Sequence, residues 1–375
     1  MAQGPRVAVV GGGIIGAASA HYLAKQGFRP VVIEQCGVAC HSSGKAAGFL
    51  ASDWLDGSPV ASLARKSFQL HKDLADEFGP DKIGYRTMNC IQCVSGTSFL
   101  KGSNSSLSWL DRTDGRLRIM GGPDTIAQVH PRKLTEALID SALAQGGSLL
   151  IDKVVGVEVV ENEEGLKQVK SLATQQGGQI TCEAVVLAMG PWTQDAQDWF
   201  PGTGLPSNTV SHKYTSITWD ASADNTAVFL DSAHHVEIYP RSDEVYASGC
   251  PEMVLPIPSD PRDISPGFAQ SRMVQAEAAR FSSIIEAAKV KQVQACYLPG
   301  SDDNLPVIGK IPTVDNAFVA CGHTCWGILN APGTGKAIAD LVAKGVTAVV
   351  DLRPFEPKQG ALASLARLIA SKTRT

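Results

Sequence analysis

The stretch that most constrains this chain is its beginning, residues 6–34, RVAVVGGGIIGAASAHYLAKQGFRPVVIE. Residues 7–10 form a short apolar run, which favours a parallel strand buried on both faces. Gly11, Gly13 and Gly16 follow with the spacing G-x-G-x-x-G. The first glycine permits a tight turn, the second lets a pyrophosphate approach the backbone, and the third lets a helix lie close to the strand. The pattern predicts a strand–helix–strand unit that binds a dinucleotide.

The residues after these glycines complete the unit. A helical pattern covers residues 15–26, and an apolar strand over residues 31–33 leads directly to Glu34. Ile14 and Ile15 lie where a helix N-terminus offers N–H groups and a positive dipole to a phosphate. Glu34 is suited to accept hydrogen bonds from a ribose diol and would repel a 2′-phosphate, which disfavours NADP. A strand–helix–strand unit without a ligand is the alternative, and this context disfavours it.

The composition of the whole chain excludes several classes of protein. With 375 residues, 44% of them hydrophobic, and a net charge of −4, we expect two or more folded domains and no nucleic-acid surface. No apolar run reaches the ~20 residues of a membrane span, and no signal peptide fits before the first strand. The nine cysteines lack metal-ligand spacing, so no metal site is predicted. We expect mostly buried, reduced thiols in a cytoplasmic protein.

A second stretch of small residues, SSGKAAGFLA, covers residues 42–51. Small residues let a backbone lie against a flat or charged group, and the hydroxyls of Ser42 and Ser43 are suited to a phosphate. Lys45 is expected either to stay solvated or to face a cofactor. The alternative is that Ser43 caps an alanine-rich helix, which is compatible with cofactor binding. The residues of this stretch that we expect to bind a cofactor are Ser42, Ser43, Lys45, Ala46, Ala47 and Gly48.

Taken together, the two glycine-containing stretches resemble the N-terminus of the FAD-dependent D-amino-acid-oxidase superfamily, and within it the glycine-oxidase and sarcosine-oxidase type. In that family the second stretch crosses the pyrophosphate and reaches the flavin ring. The resemblance implies FAD as the cofactor. It also implies a Rossmann-like α/β FAD-binding domain, α+β overall, with a second domain built on an antiparallel sheet that binds the substrate.

The resemblance also implies a discontinuous division of the chain. The FAD-binding domain is expected to comprise residues 1–85, 125–204 and 299–375. The substrate domain is expected to comprise residues 86–124 and 205–298, because alternating patterns typical of antiparallel strands are found there. An amphipathic helix is predicted for residues 273–289 within that second domain.

Two passages in the middle of the chain also resemble the family. A helix opening at His130 is followed by a strand over residues 149–160, where the family's backbone pairs with the adenine edge. Val155 is the residue expected to do so, with Val154 as the alternative. A buried strand over residues 184–192 then ends in a glycine turn, where the resemblance places Gly190 and Trp192 against the phosphate and ribose.

The last passages of the resemblance are residues 296–309, CYLPGSDDNLPVIG, and residues 317–335, AFVACGHTCWGILNAPGTG. In the family a strand here, expected over residues 322–328, brings backbone N–H groups to the flavin, and a helix over residues 334–343 follows. A positive dipole at that position stabilises a reduced, anionic ring. The flavin-binding residues implied by these passages are Gly309, Gly322, Gly327 and Ile328.

The substrate side departs from the family. Arginines that clamp a substrate carboxylate in the family correspond here to Leu298 and Cys325, and the sarcosine-oxidase lysine corresponds to Trp326. Because an unpaired carboxylate in a dry pocket is costly, we expect an uncharged or cationic amine or imine packed against Trp326. Arg241 or Lys45 approaching from another direction is the alternative.

Two residues near the flavin carry further expectations. His323 is expected to orient the substrate, with Trp326 beside it, and the alternative is a hydrogen-bonded core histidine. The resemblance places Cys296 where sarcosine oxidases carry the cysteine that bonds the flavin methyl group. The alternative, which we favour, is an unreacted buried thiol, because burial is the common fate of cysteine.

These observations lead to one main function and its alternatives. The main prediction is an FAD-dependent oxidoreductase that oxidises the C–N bond of a small-molecule amine, with oxygen as acceptor. Alternatives are a flavin-dependent dehydrogenase with another acceptor, and a flavin-binding protein with a regulatory or trafficking role and little catalysis. An NAD dehydrogenase is disfavoured by the second glycine-containing stretch and by residues 322–335.

Overall fold

The computed structural model describes residues 4–94, 107–112, 116–163, 165–206, 211–253, 256–301 and 303–358. Within these ranges the α-helices are α1 (Ile14–Lys25), α2 (Ser42–Lys45), α3 (Ala61–Phe78), α4 (Pro80–Ile83), α5 (Pro131–Ala144), α6 (Phe268–Phe281), α7 (Ser283–Ala287) and α8 (Gly327–Lys344). No helix in the described ranges is long and apolar enough to cross a membrane.

The strands alternate with these helices in the first and last parts of the chain and follow one another in between. They are β1 (Arg6–Val10), β2 (Arg29–Glu34), β3 (Phe49–Ala51), β4 (Arg86–Thr87), β5 (Asn89–Val94), β6 (Arg116–Gly121), β7 (Ile126–Gln128), β8 (Ser148–Ile151), β9 (Val154–Glu161), β10 (Lys167–Thr174), β11 (Gln179–Thr181), β12 (Ala184–Leu187), β13 (His212–Asp220), β14 (Thr226–Leu230), β15 (Glu237–Pro240), β16 (Val245–Met253), β17 (Lys289–Tyr297), β18 (Val307–Lys310) and β19 (Ala317–Cys321).

A six-stranded sheet with the order β18-β19-β12-β1-β2-β8 forms the centre of the nucleotide-binding part. Strands β1, β2, β8, β12 and β19 are parallel to their neighbours, whereas β18 pairs antiparallel with β19. Val7, Ala8 and Val9 are fully buried, as expected for a strand covered on both faces. The carboxyl ends of β1, β2, β12 and β19 therefore meet at one edge of the sheet, where open α/β sheets bind their ligands.

Helices α1 and α8 pack closely on one face of this sheet. A Cβ atom added at Gly335 of α8 would lie 2.5 Å from the backbone carbon of Ala18 in α1. A Cβ atom at Gly16 would lie 1.9 Å from the carbonyl oxygen of Gly11. Glycine is therefore required at both positions by the close approach of one backbone to another, which positions the N-terminus of α1 at the carboxyl edge of the sheet.

A seven-stranded sheet with the order β17-β13-β16-β15-β14-β5-β6 forms the other large layer. Its pairs are antiparallel except for β5 with β14. Because side chains alternate along a strand, Val236 and Ile238 belong to the core against helix α6, and Glu237 and Tyr239 lie on the opposite face. That opposite face closes the cavity described below.

Four of the predicted elements are wrong in their extent. The helix predicted over residues 273–289 is α6 and α7, because Ser282 ends the first helix and accepts a hydrogen bond from Ile285 N–H in the second, and Lys289 begins β17. The strand predicted over residues 149–160 is divided into β8 and β9, which belong to different sheets.

The strand predicted over residues 322–328 is a turn followed by the start of α8. Strand β19 ends at Cys321 because Gly322 adopts a left-handed φ of 74°. Helix α8 begins at Gly327 although it contains Pro332, which cannot donate to the carbonyl of Ile328. His71 Nε2 donates to that carbonyl instead, at 2.9 Å. This hydrogen bond from His71 of α3 allows α8 to begin at Gly327, seven residues before the start predicted from the sequence.

The cysteines are mostly free, as expected, with one exception. A disulfide joins Cys36 and Cys40 in the loop after β2. The free cysteines comprise buried Cys90, Cys93, Cys250, Cys296 and Cys321, half-buried Cys182 and exposed Cys325. The expectation of thiols is therefore wrong for Cys36 and Cys40, because the turn between β2 and α2 brings them together.

Candidate active site

A continuous cavity extends from the carboxyl edge of the six-stranded sheet to the inner face of the seven-stranded sheet. It is lined at one end by Glu34 and Asp152 and at the other by Glu237. The residues singled out in the sequence that line it are Gly11, Gly13, Ile14, Ile15, Glu34, Ser42, Ser43, Ala46, Ala47, Gly48, Gly190, Trp192, Cys296, His323, Trp326, Gly327 and Ile328. The fold thus brings together most of these residues from distant parts of the chain.

The carboxylate of Glu34 organises the glycine loop. Its Oε2 accepts a hydrogen bond from Gly12 N–H at 2.6 Å, and its Oε1 accepts one from Cys36 N–H at 3.0 Å. Burial raises the pKa of Glu34, and these backbone N–H groups oppose that shift because they stabilise the anion. Glu34 therefore links the glycine loop, through Gly12, to the loop after β2, through Cys36. A ribose would bind between these two loops.

Helix α1 presents its N-terminus to the cavity. Its N-cap residue, Gly13, offers no side-chain cap, and its first turn has no acidic residue. Ser43 Oγ accepts a hydrogen bond from Ile14 N–H at 2.8 Å, whereas α2 begins after His41 without a side-chain cap. Ser43 therefore does not cap its own helix, contrary to the alternative stated above. It joins the second glycine-containing stretch to the first.

Two cations hold the second stretch against the seven-stranded sheet. Arg241 is buried, pairs with Glu244 at 2.6 Å and donates to the carbonyl of Ala46 at 2.7 Å. Lys45 Nζ donates to the carbonyl of Ala295 at 2.9 Å. Sequence reasoning missed the Arg241–Glu244 pair, although the i, i+3 spacing of opposite charges across a tight turn was visible.

Five of the residues singled out in the sequence do not line the cavity. Gly16 lies on the side of α1 that packs against Gly11 and Ala188, and Gly309 packs against Pro357. Val155 is 49% exposed on β9, and its neighbour Val154 lines the cavity instead. Lys45 points to the β17 backbone, and Gly322 makes the turn after β19. Their direct contact with a cofactor remains a prediction.

His323 lies where the turn after β19 meets α8. It is buried, and its Nε2 lies 3.0 Å from Thr334 Oγ1. Burial lowers its pKa to about 3, so the ring is neutral at physiological pH. The ring is therefore held like a core histidine and also lines the cavity. That it orients a substrate stays a prediction.

The residues present fit FAD. Buried ring nitrogens on the cavity wall, His41 Nε2 and His323 Nδ1, have no hydrogen-bond partner among the described residues. The N-terminus of α1, whose N-cap residue Gly13 brings no side chain, is suited to a diphosphate. A Cβ at Gly13 would lie 3.1 Å from Ser43 Oγ, and only a bare backbone leaves room for a phosphate there.

Cys296 on β17 is buried and lines the cavity. Burial raises its pKa to about 11, although Lys45 opposes the shift. Because the thiolate is the nucleophilic form, we expect an un-ionised Cys296 and FAD that is not covalently bound. Acid precipitation of the purified protein should release the yellow colour into the supernatant. Colour retained in the pellet, and lost from the pellet in Cys296→Ser, would contradict this prediction.

The substrate end of the cavity carries a feature that sequence reasoning missed. Glu237 lines this end together with five aromatic residues, which we call the aromatic wall: Phe49, Trp54, Phe229, Tyr239 and Trp326. Tyr239 donates a hydrogen bond to Glu237 Oε2 at 2.5 Å. The available signal was an acid in an otherwise apolar strand, two residues before Tyr239, but the other residues of the aromatic wall come from other elements.

Comparisons with known proteins agree with this geometry. The chain is 29% identical to an oxidoreductase of Schizosaccharomyces pombe over 96% of this chain and 99% of that protein. It is 28% identical to a glycine oxidase of Geobacillus kaustophilus over 93% of this chain and 95% of that protein. The crystal structure of glycine oxidase from Geobacillus kaustophilus superposes with a TM-score of 0.76 at 26% identity, covering 95% of this chain and 99% of that one.

The family model of FAD-dependent oxidoreductases, abbreviated DAO, matches residues 6–341. This span includes both glycine-containing stretches and the start of α8, which are the parts of the chain that surround the cavity. The chain therefore belongs to the DAO family of FAD-dependent oxidoreductases.

Proposed function

We propose that this protein oxidises the C–N bond of an amine that carries no carboxylate next to the reacting carbon, with oxygen as the electron acceptor. One observation carries the proposal: Lys153 is the only lysine or arginine among the described residues that line the cavity, and it lies at the nucleotide end, 3.9 Å from Asp195. The substrate end therefore offers no cation to a carboxylate.

The alternative cations are already engaged. The guanidinium of Arg241 is occupied by Glu244 and the carbonyl of Ala46, and the ammonium of Lys45 by the carbonyl of Ala295. A substrate carboxylate would have to leave water without a partner, which costs several kcal/mol in a low-dielectric site, roughly 2–7 kcal/mol even for a neutral polar group. This cost selects against the free amino acids after which the related glycine oxidases are named.

The side chains present are suited to this reaction. Bound FAD would supply the two-electron acceptor. The aromatic wall excludes water and limits the orientations of the substrate, and the His323 ring, being neutral, adds no positive charge to the site. Ser42, Ser43, Ala46, Ala47 and Gly48 hold the cofactor in this proposal, together with Glu34 and the glycine loop. The names of related proteins that are oxidases support oxygen as acceptor.

The test is reduction of the FAD-loaded protein by two matched sets of compounds without oxygen. One set contains benzylamine and N-methylbenzylamine, and the other contains glycine, sarcosine and D-alanine. We expect bleaching of the flavin absorbance by the first set only, and formation of peroxide after air is admitted. Faster reduction of the flavin by the amino acids would overturn the proposal. Reduction without formation of peroxide in air would show that the electron acceptor is not oxygen.

A gain-of-function variant sharpens this test. Leu298 lines the cavity at the position of the family's clamping arginine. Leu298→Arg should therefore increase the rate of flavin reduction by glycine relative to N-methylbenzylamine, because it supplies the missing bidentate partner. Leu298→Met is the matched control, since it changes the side chain without adding charge.

A further inference from the structure

We propose that Glu237 and the aromatic wall form a binding site for the ammonium group of a cationic amine. This inference rests on the proposed function and narrows it, since it selects a cationic substrate over a neutral one. It also assigns to Glu237 the role of the anionic partner that the substrate meets.

The strand register places Glu237 among aromatic rings. Phe229 on β14 is its cross-strand partner, and Tyr239 is two residues along the same strand. Because side chains alternate along a strand and opposed residues share a face, all three side chains lie on the cavity face of the seven-stranded sheet. The position of the acid is therefore a property of the sheet and not of a mobile loop.

The rings of the aromatic wall contact one another in a continuous cluster. The ring centroids of Phe49 and Trp54 lie 5.1 Å apart, and each lies within 5.6 Å of Phe229. Tyr239 lies 5.8 Å from Phe229, and Trp326 lies 6.4 Å from Trp54. Aromatic faces attract a cation within about 6 Å of the ring, most strongly where water is excluded. A carboxylate beside several such rings is the combination that recognises an ammonium group.

Glu237 has few partners of its own. Among the described residues, the only hydrogen bond to its carboxylate comes from Tyr239, and no lysine, arginine or histidine pairs with that carboxylate. The titratable groups that interact with it from neighbouring elements are Tyr239, Tyr214, Cys90 and Cys325. None of these groups carries a positive charge. A cationic ligand would therefore supply the one interaction that this half-buried acid lacks.

Burial raises the pKa of Glu237, and the hydrogen bond from Tyr239 opposes the shift. The anionic form, which attracts a cation, is lost as the pH falls through this raised pKa. The affinity for a permanent cation should therefore increase with pH across that range, because a quaternary ammonium ion does not itself titrate. The raised pKa of Glu237 agrees with the proposed site. The position of the site follows from the strand register alone.

The experiment measures binding and not turnover. Choline and its neutral isostere dimethylbutanol, in which carbon replaces nitrogen, are titrated into the FAD-loaded protein while the flavin absorbance and the tryptophan fluorescence are followed. We expect choline to bind about ten- to hundredfold more tightly. Glu237→Gln should abolish this preference and its pH dependence, with the FAD content unchanged. Glu163→Gln, at an exposed position, is the matched control.

Equal affinity for the two probes, or a preference that Glu237→Gln leaves intact, would overturn the inference. Phe229→Leu provides an independent check if the first variant folds poorly, and an unchanged preference for choline in it would count against the aromatic wall. The outcomes separate the two proposals. Choline binding without flavin reduction by any amine would refute the proposed function alone, and amine oxidation unaffected by Glu237→Gln would refute the inference alone.

Discussion

Replacing Gly335 with valine should prevent stable folding or strongly destabilise the protein. A Cβ atom at this position would lie 2.5 Å from the backbone carbon of Ala18 and 2.7 Å from the nitrogen of Ser19. These are backbone atoms of α1, and they cannot move without displacing the helix that faces the cofactor. Overpacking costs about 1–3 kcal/mol where side chains can adjust, and we expect the upper end or more here.

The measurement is the urea midpoint of the FAD-loaded protein, followed by far-UV circular dichroism. Gly156→Val is the matched control, because nothing lies within 4 Å of a Cβ atom at Gly156 and this residue occupies a strand, β9, where valine is favoured. Similar midpoints for the two variants would show that α1 and α8 do not require the close contact.

Replacing Glu34 with glutamine should raise the dissociation constant of FAD by about ten- to hundredfold. The carboxylate accepts hydrogen bonds from Gly12 N–H and Cys36 N–H through its two oxygens. An amide has only one oxygen, so its NH2 group would face one of these N–H donors. The variant therefore both misplaces the glycine loop and weakens the partner of a ribose diol.

Titration of the apoprotein with FAD, followed by quenching of flavin fluorescence, measures this effect. Glu163→Gln carries the same chemical change at an exposed position on the surface and should bind FAD like the unaltered protein. The same dissociation constant of FAD for both variants would show that Glu34 does not contribute to FAD binding. The effect should not be rescued by raising the pH, because the glutamine does not titrate.

Much of the nucleotide-binding part was predictable from the sequence because its signals are local. The first strand, the glycine loop, α1 and Glu34 follow one another within 29 residues, and each requires a residue type that the chain carries. The family resemblance and FAD followed from this unit and from later passages in the same order, and the family match confirms both.

The errors occurred where side chains from other elements change a local pattern. Helix α8 begins at Gly327 because His71 of α3 donates to the carbonyl of Ile328, which Pro332 leaves without its usual donor. The alternative that Ser43 caps its own helix is wrong for a similar reason, because Ser43 Oγ accepts the hydrogen bond from Ile14 N–H of α1. Neither partner can be identified from a window of sequence around the residue itself.

The sequence by itself determined the cofactor-binding unit, the family and the loss of the clamping cations at Leu298 and Cys325, because each is a statement about residue type at a position. Only the tertiary structure decided which side chains meet at the other end of the cavity. Phe49 in β3, the cross-strand pair of Phe229 and Glu237 in the seven-stranded sheet, and Trp326 just before α8 are distant from one another in the chain and belong to different elements. Cross-strand pairing and the packing of the two large sheets bring them to one cavity, and pairwise contacts of that kind leave no periodic signal in the sequence.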